Sequence, residues 1–445
     1  MNDMVGMMFD RLSRALKAFW TAKAGNVAIT FGLAVVPVIG MAGAAVDYSR
    51  ASRIKAILMA AADAASVGSI ARSSIGYATA AAMPADGPVP LGQVNAINIF
   101  NGAINGKTGF TLAGLSAAVT KTNSQLTSTV EFTATIPTVL MEVLGWNALT
   151  VSGSSSAANG TPAFIDFYLL LDNTPSMGVG ATPADVATMV SNTPDQCAFA
   201  CHDKSAEPND YYSLAKRLGV TMRIDVLRSA TQQLMDTANA TGTVPGQFRM
   251  AIYHFGIQAK NKQDLYTVTS LTTPTIAKGL AANIDLMTVV GQNQFDDRDT
   301  QFDTILPAMD AEIPNPGSGQ SSASPQKVLF FVSDGVADEP NPGNCSQPLQ
   351  GDRCQEPLNV ALCTAIKNRG IRIAVLYTTY LPLPTNSWYN TWIAPFNQSG
   401  NSQISANMQA CASPGLYFEV SPTQGIADAM NALFEKAVAT ARLTK

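Results

Sequence analysis

The chain has 445 residues, of which 47% are hydrophobic and only 13% are charged, and its net charge is −4. Soluble domains carry about 25% charged residues, so this composition favours a membrane-attached or secreted protein over a cytosolic one. Lysine and arginine form no concentrated basic run, which argues against a nucleic-acid partner. The length is compatible with about three domains.

An uncharged apolar segment lies near the N-terminus. Residues 25–46 carry no charged side chain and, as a helix, would cross a hydrocarbon core of about 30 Å. The positive-inside rule alone decides little, because the basic residues on the two sides of the segment are nearly balanced. Long C-terminal domains translocate regardless of such counts. We therefore predict one membrane span with residues 1–24 in the cytoplasm; the alternatives are a cleaved signal peptide and a buried core helix.

Residues 47–158 are predicted to form a hydrophobic helix followed by a small antiparallel β region. Apolar residues recur at helical spacing over 48–73, which predicts a helix continuous with the span. Pro, Gly and Asp then interrupt residues 80–95. Alternation between 108 and 158 predicts antiparallel strands with turns between them. Residues 153–162, GSSSAANGTP, are a linker by composition.

Residues 163–445 alternate predicted strands and helices. The apolar runs at 164–171 and 327–333 are typical of buried parallel strands. Such alternation predicts one doubly wound α/β domain with a mostly parallel central sheet. In that architecture, sites form at the C-terminal ends of the strands. Further strands are predicted at 248–256, 371–378 and 415–420, and helices at 213–240, 300–313, 358–370 and 423–443.

All six cysteines lie between residues 197 and 411. An even, clustered set is compatible with disulfides formed in an oxidising compartment. The stretch CAFACH, residues 197–202, is one residue longer than the signature of c-type haem attachment, and a local disulfide is the favoured interpretation. The predicted pairs are Cys197–Cys201, Cys345–Cys354 and Cys363–Cys411.

Two predicted buried strands end in aspartates that are candidates for metal binding. The stretch LLLDNTPSMG places a carboxylate and two hydroxyls at alternate positions after the first strand, and VSDG ends the second. Oxygen ligands of this kind are those that Mg²⁺ and similar divalent cations prefer. Thr300, from another loop, would complete the shell, with Thr304 as the alternative. The five predicted ligands are Asp172, Thr174, Ser176, Thr300 and Asp334.

This constellation resembles the metal-ion-dependent adhesion site (MIDAS) of von Willebrand factor A domains, whose first motif is D-x-S-x-S. The resemblance implies that Asp172, Thr174 and Ser176 act as the first motif. It also implies that Thr300 is the threonine of the second loop and Asp334 the aspartate of the third. Thr174 in place of serine keeps the hydroxyl, whereas Pro175 removes a backbone donor from the loop.

The order of segments resembles the TadE/TadG-like proteins of tight-adherence (Flp-type) pilus assembly, and the TadG-like members in particular. The resemblance rests on GNVAITFGLAVVPVIGMAGAAVDYSR, AADAAS and the von Willebrand A-like half. It implies that residues 47–158 are a pilin-like region of a single-pass protein of the bacterial inner membrane. The C-terminal domain would then be periplasmic or surface-exposed. Its partners would be proteins of the pilus assembly machinery or a surface ligand. Because Thr30 stands where a pilin-like sequence would carry glutamate, no prepilin cleavage is predicted.

Catalysis is not predicted. The chain has no phosphate-binding glycine loop and no dinucleotide fingerprint, and its two histidines exclude most Ser-His-Asp triads. A haloacid-dehalogenase-type phosphatase needs a second carboxylate as general acid where this chain has Thr174. Two alternatives to metal-bridged docking stay open: a structural envelope protein with a degenerate metal site, and a metal-dependent hydrolase.

Overall fold

The computed structural model describes residues 11, 13, 14, 17, 18, 20 and 23–441, apart from 123, 260–262, 290–298, 380–381, 399–400 and 422–424. Internal contacts divide the chain into two units. Unit 1 comprises residues 1–80 and 87–159, and unit 2 comprises residues 81–86 and 160–445.

The apolar N-terminal segment forms the first part of one long helix, α1 (Lys23–Ser69), as predicted. In the part of the chain that the structure describes, one helical stretch, Ile29–Ser69, is long and apolar enough to cross a membrane by length and composition. Val36 and Ile39 in its first half are exposed, whereas Leu58 in its second half is fully buried. This change along a single helix fits a membrane-anchored protein.

Unit 1 adds helices and a four-stranded sheet to the second half of α1. The sheet has the order β1-β2-β3-β4. Alternate residues of β3 are buried, and Val130 and Phe132 pack with Leu58 of α1 and Phe100 of α3. The elements are α2 (Ile75–Ala82), β1 (Gly87–Pro88), α3 (Pro90–Ile104), β2 (Thr111–Thr122), β3 (Gln125–Pro137) and β4 (Ala148–Gly160).

Two predictions for unit 1 are wrong. Residues 80–95 were expected to lack regular structure, yet α3 begins at Pro90. Proline at the first position of a helix loses no hydrogen bond and has a suitable φ, so it starts this helix rather than preventing it. The predicted linker at 153–162 is also wrong up to Gly160, because β4 extends through it. Small residues there alternate between half-buried and exposed positions, as in other strands.

Unit 2 contains a six-stranded sheet of order β16-β13-β10-β5-β7-β8. Its neighbouring strands are parallel except for the β7–β8 pair, which is antiparallel. This order is that of a doubly wound α/β fold with an antiparallel edge strand, which confirms the predicted fold class. The strands of unit 2 are β5 (Ile165–Leu171), β6 (His202–Asp203), β7 (Phe248–His254), β8 (Tyr266–Thr272), β9 (Thr288–Val289), β10 (Gln326–Ser333), β11 (Val336–Pro340), β12 (Arg353–Pro357), β13 (Arg372–Thr378), β14 (Asn397–Gln398), β15 (Asn401–Ser402) and β16 (Tyr417–Val420).

Helices cover both faces of this sheet. The odd-numbered residues of β5 pack with α6, α7 and α11 on one face, and Tyr168 and Leu170 pack with α8, α9 and α10 on the other. Every residue of β5 is buried, which explains its continuous apolar run. The helices are α4 (Pro183–Asn192), α5 (Tyr211–Arg217), α6 (Arg223–Thr241), α7 (Pro274–Leu280), α8 (Phe302–Glu312), α9 (Val360–Asn368), α10 (Gln403–Cys411) and α11 (Ile426–Ala441).

The single helix predicted at 213–240 is in fact two helices, α5 and α6. Gly219, at a φ of +70°, lies in the turn between them. Glycine adopts this left-handed conformation without the steric cost of a Cβ atom, so the chain can turn there. As a result, α6 begins anew at Arg223, beside the carboxyl edge of the sheet.

Candidate metal centre

The predicted ligands Asp172 and Asp334 follow adjacent parallel strands. Leu171 at the end of β5 pairs in register with Val332 of β10, and the Asp172 N–H donates to the Val332 carbonyl oxygen at 2.9 Å. The carboxyl ends of the two strands therefore bring both aspartates to one edge of the sheet. Both residues are buried, so this edge concentrates two carboxylates away from water.

The loop after β5 gathers three of the predicted ligands. Asp172 Oδ1 accepts hydrogen bonds from Thr174 N at 3.0 Å and from Thr174 Oγ1 at 2.7 Å. Thr174 Oγ1 in turn lies 3.1 Å from Ser176 Oγ. Adjacent oxygen ligands of octahedral Mg²⁺ lie about 3 Å apart, because Mg–O distances are about 2.1 Å. The spacing of these oxygens therefore fits such a cation.

Pro175 does not disturb this loop. It is the first residue of a 3₁₀-helix, Pro175–Gly178, for which Thr174 is the N-cap. An N–H group in the first turn of a helix has no partner within the helix, so proline there loses no hydrogen bond. Its fixed φ also suits that position, and it holds the loop that carries the hydroxyls.

Asn173 and Ser333 support the loop, although the sequence pattern did not single them out. Asn173 Nδ2 donates to the Gly256 carbonyl oxygen at 2.9 Å, and its Oδ1 accepts from Phe255 N at 3.1 Å. Ser333 Oγ donates to Asp172 Oδ2 at 2.6 Å. Asn173 thereby ties the loop to the segment after β7, and Ser333 orients the carboxylate. Their adjacency to the two aspartates was the available signal.

A buried arginine lies beside Asp334. Arg223 begins α6, and its Nη1 is 3.8 Å from Asp334 Oδ2, with exposed fractions of 0% and 1% for the two side chains. Its Nη2 donates to the carbonyl oxygen of Thr379, after the end of β13, at 3.0 Å. When both are ionised, Asp172 and Asp334 carry two negative charges, and the Arg223 guanidinium carries one positive charge. The sum of these three charges is a single negative charge. The sequence pattern assigned Arg223 no role at this site, because it is distant from both aspartates along the chain.

Burial opposes ionisation of Asp172. Removal from water raises the pKa of Asp172, and the negative charge of Asp334 raises it further. Hydrogen bonds from Ser333 and Thr174 lower this pKa and offset part of the effect. A divalent cation next to both carboxylates would stabilise their ionised forms. The charge and the oxygen donors of this edge therefore both suit a hard cation.

Thr300 is joined to the site region through its backbone. The Asp338 N–H donates to the Thr300 carbonyl oxygen at 2.8 Å, and Asp338 belongs to β11, which begins two residues after Asp334. Thr300 itself is buried. Thr304 lies in α8, and its hydroxyl donates to the exposed Asp303 carboxylate at 3.2 Å. Burial and tethering favour Thr300 over Thr304, and its role as a ligand stays a prediction.

Comparison with family models identifies the N-terminal segment. Residues 25–69 match the family model of putative Flp pilus-assembly TadE/G-like proteins. The predicted resemblance is thus confirmed over these residues, which form most of α1. The chain thus combines a segment similar to this pilus-assembly family with a doubly wound α/β unit. Comparison with curated proteins gives no match.

Solved structures similar to the chain include two pilus proteins and a matrix protein of the mussel byssus. The von Willebrand factor domain of the type V pili tip protein Mfa5 from Porphyromonas gingivalis has 9% identity and a TM-score of 0.36, over 63% of this chain and 97% of that one. Proximal thread matrix protein 1 from the mussel byssus, with a zinc-occupied MIDAS motif, has 13% identity and a TM-score of 0.33. That match covers 62% of this chain and 46% of the mussel protein. A point mutant of the PilB minor pilin from Streptococcus sanguinis has 11% identity and a TM-score of 0.33, over 75% of this chain and 77% of that one.

Two of the three predicted disulfides are present in unit 2, Cys345–Cys354 and Cys363–Cys411. The second joins α9 to the end of α10. The predicted Cys197–Cys201 disulfide is wrong, since both cysteines are thiols in the structure. The Cys197 sulfur instead faces the Phe199 backbone, whose N–H lies 3.4 Å from it, and burial raises the pKa of Cys197 to about 11. Short spacing in the sequence did not bring these two sulfurs together.

Proposed function

We propose that this chain is a membrane-anchored pilus-assembly or adhesion protein whose von Willebrand A-like unit binds a protein partner through a divalent cation, without catalytic turnover. The observation that carries the proposal is the arrangement of oxygens after β5 and β10. Asp172, Thr174 and Ser176 present oxygens at the spacing of octahedral ligands, next to a second buried carboxylate.

The roles of the chain's own residues in such docking follow from their contacts. Asp172 and Asp334 would supply the charge that retains Mg²⁺ or Mn²⁺, and Thr174 and Ser176 would supply neutral oxygens. Asn173 would keep the loop in place through its bonds to the segment after β7. A cation bound there would provide a positive charge for an acidic group of the partner. Docking of the partner therefore needs a loop that holds the cation in place, and it needs no general acid such as an enzyme would use.

The proposed location is the bacterial inner membrane, with the N-terminus in the cytoplasm and the von Willebrand A-like unit in the periplasm or at the cell surface. The Tad-like segment and the apolar part of α1 support anchoring. The two disulfides support an oxidising environment for the second unit. Partners would be proteins of the pilus machinery or a surface ligand.

Titration of the full chain in lipid nanodiscs with Mg²⁺ and Mn²⁺, followed by calorimetry, tests the proposal. We expect saturable binding that Asp172→Ala/Asp334→Ala weakens by about 100-fold or more, because two charged ligands are lost. The matched control is Asp236→Ala/Asp428→Ala, which removes two exposed aspartates of the same unit and should bind like the wild type. Equal binding by the wild type and the ligand variant would overturn the proposal. Turnover of a phosphoester panel would instead favour the metal-dependent hydrolase.

One observation favours a second candidate, a structural envelope protein with a degenerate metal site. The Arg223 guanidinium already lies 3.8 Å from Asp334 and supplies a permanent positive charge there. In that case the chain would bind no divalent cation in the same titration. Pilus assembly and adhesion would then be intact in cells that carry Asp172→Ala/Asp334→Ala.

A further inference from the structure

An exposed apolar loop joins β3 to β4 in unit 1. Its residues, Val139–Trp146, form a 3₁₀-helix at Met141–Leu144. Val143 is 86% exposed and Trp146 is 62% exposed. Val139, Leu140 and Leu144 are exposed as well, and Glu142 is the only charged residue of the loop. So many large apolar side chains in one short exposed loop mark a binding surface.

The loop is fastened to α1 by a single carboxylate. Asp47, the first charged residue after the apolar segment, accepts hydrogen bonds from the backbone N–H groups of Val139 at 3.1 Å, Leu140 at 3.0 Å and Met141 at 2.8 Å. These bonds, that from Met141 foremost, lower the pKa of Asp47. The carboxylate therefore stays ionised at neutral pH, and the loop keeps a fixed position along the helix.

Two glycines of α1 allow the loop to lie against the apolar segment. A Cβ atom at Gly43 would come within 2.8 Å of Leu140 Cβ, and one at Gly40 within 3.2 Å of Leu144 Cδ1. Larger residues at these positions would push the loop away. Leu140 and Leu144 thus lie at the level of residues that belong to the uncharged segment 25–46 rather than to the polar part of α1.

The position along α1 gives the depth of the loop. At 1.5 Å per residue, Gly43 and Gly40 lie about 5 and 9 Å before Val46, where the uncharged segment ends. Apolar faces that bind membranes from one side enter the boundary of headgroups and acyl chains by about 5–10 Å. Tryptophan is enriched at that boundary. The loop is therefore at the depth at which an interfacial anchor would lie.

We propose that the loop Val139–Trp146 inserts into the lipid leaflet from which α1 emerges. The proposal rests on the proposed function only in that α1 spans a membrane. The occupant of the surface is lipid, because Leu140 and Leu144 lie beside Gly43 and Gly40 of the uncharged segment, on the membrane side of Asp47. Glu142 keeps the insertion at the headgroup level. Insertion fixes how far α1 extends from the bilayer and restrains its rotation.

The test uses the full chain in vesicles of phosphatidylcholine and phosphatidylglycerol whose acyl chains carry bromine, which quenches tryptophan, either near the headgroup or deep in the chain. The emission of Trp146 is obtained as the difference between wild type and Trp146→Phe, and that of Trp20, which precedes the span, from Trp20→Phe. We expect the shallow bromine to quench Trp146 emission by about half or more, and the deep bromine to quench it less.

Variants on the loop and elsewhere in unit 1 sharpen the test. Val143→Asp should reduce the quenching of Trp146 by about twofold or more, because a carboxylate resists entry into lipid. The matched control is Leu91→Asp, on the exposed surface of α3 next to Gly92, which approaches Gly76 rather than the apolar segment. That change should leave the quenching unaltered.

The outcomes separate this proposal from the one on which it rests. Quenching of Trp20 without quenching of Trp146 would show that α1 is inserted and the loop is not, and would overturn the proposal alone. Absence of quenching for both would contradict the membrane anchor itself. Blue-shifted Trp146 emission that no bromine quenches would replace lipid by a second copy of the chain as the occupant.

Discussion

Asp166, near the start of β5, and Asp172, directly after its end, are both buried. The two ends of the strand stabilise these carboxylates in different ways. At the amino end, Asp166 accepts hydrogen bonds from Arg249 Nε and Nη2, each at 2.7 Å, and from Lys327 Nζ at 2.6 Å. At the carboxyl end, Asp172 accepts hydrogen bonds from the hydroxyls of Thr174 and Ser333 and from the backbone N–H of Thr174. A second carboxylate, Asp334, raises the pKa of Asp172 there.

This difference separates a structural ion pair from a site that can accept a cation. An ammonium or guanidinium group has no lone pair to offer to a metal, so the amino end is complete as it stands. A hydroxyl donates one proton and retains acceptor lone pairs, so Thr174 can bond to Asp172 and also face a cation. The donors at the carboxyl end are therefore compatible with metal binding, whereas those at the amino end exclude it.

The largest expected contrast is in stability. Asp166→Ala leaves the buried Lys327 ammonium without its carboxylate and should lower the free energy of unfolding by about 3–5 kcal/mol. Asp172→Asn removes a charge that burial opposes, so it should cost less than about 1 kcal/mol in metal-free protein. Urea denaturation of the full chain in nanodiscs, with chelator present, measures both. Similar losses at the two ends would contradict the distinction between them.

Much of unit 2 was predictable because its strands carry strong local signals. The apolar runs around Leu169 and Phe330 are continuous, since helices cover both faces of the sheet. The aspartates that end these runs were found for the same reason. Strand β8 was missed because it is an edge strand whose residues are exposed or half-buried apart from one, Thr269. An edge strand needs no apolar run, so its sequence resembles that of a loop.

Contacts between distant parts of the sequence were not predictable. Arg223 meets Asp334 only because a turn at Gly219 starts α6 next to the carboxyl edge. No spacing rule relates the two residues. The cysteines illustrate the same limit, because Cys197 and Cys201 are close in sequence and are thiols, whereas Cys363 and Cys411 are separated by 48 positions and joined.

The second prediction concerns Arg223, whose positive charge makes the carboxyl end resemble the amino end. Two unit charges about 4 Å apart interact by about 4 kcal/mol at an effective dielectric constant of about 20, so this guanidinium should repel a cation bound beside Asp334. We expect Arg223→Met to raise the affinity for Mn²⁺ by about tenfold or more, as measured by calorimetry.

Arg228→Met is the matched control, because Arg228 also belongs to α6 but bridges Asp225 and Asp285 instead. It should leave the affinity for Mn²⁺ unchanged. A fall in affinity with Arg223→Met would mean that Arg223 orients Asp334 rather than competing with the metal. In that case Arg223→Lys should bind Mn²⁺ more tightly than Arg223→Met, since the lysine ammonium keeps the positive charge beside Asp334.

The third prediction is the pH dependence of stability in metal-free protein. Burial raises the pKa of Asp172 from 3.8 to about 7, so between these values the native state binds more protons than the unfolded state. The free energy of unfolding should therefore increase as the pH falls from about 7 to about 6, by about 1 kcal/mol relative to Asp172→Asn. Denaturation at several pH values measures this difference. Saturating Mn²⁺ should reverse the trend, because metal binding requires the carboxylate. If the free energies of unfolding of the wild type and of Asp172→Asn changed in the same way with pH, the raised pKa of Asp172 would be contradicted.

The smallest expected effect separates the two candidate threonines. Thr300 is buried and tethered to Asp338, whereas the Thr304 hydroxyl donates to exposed Asp303. Thr300→Val keeps the shape of the side chain and removes one oxygen, which should weaken Mn²⁺ binding by about fivefold, the equivalent of about one hydrogen bond. Thr304→Val should have no effect on Mn²⁺ binding. The reverse result would place the threonine ligand of the second loop in the first turn of α8. Because both variants are isosteric, a change in affinity with unchanged unfolding midpoint reports on the metal shell and not on packing.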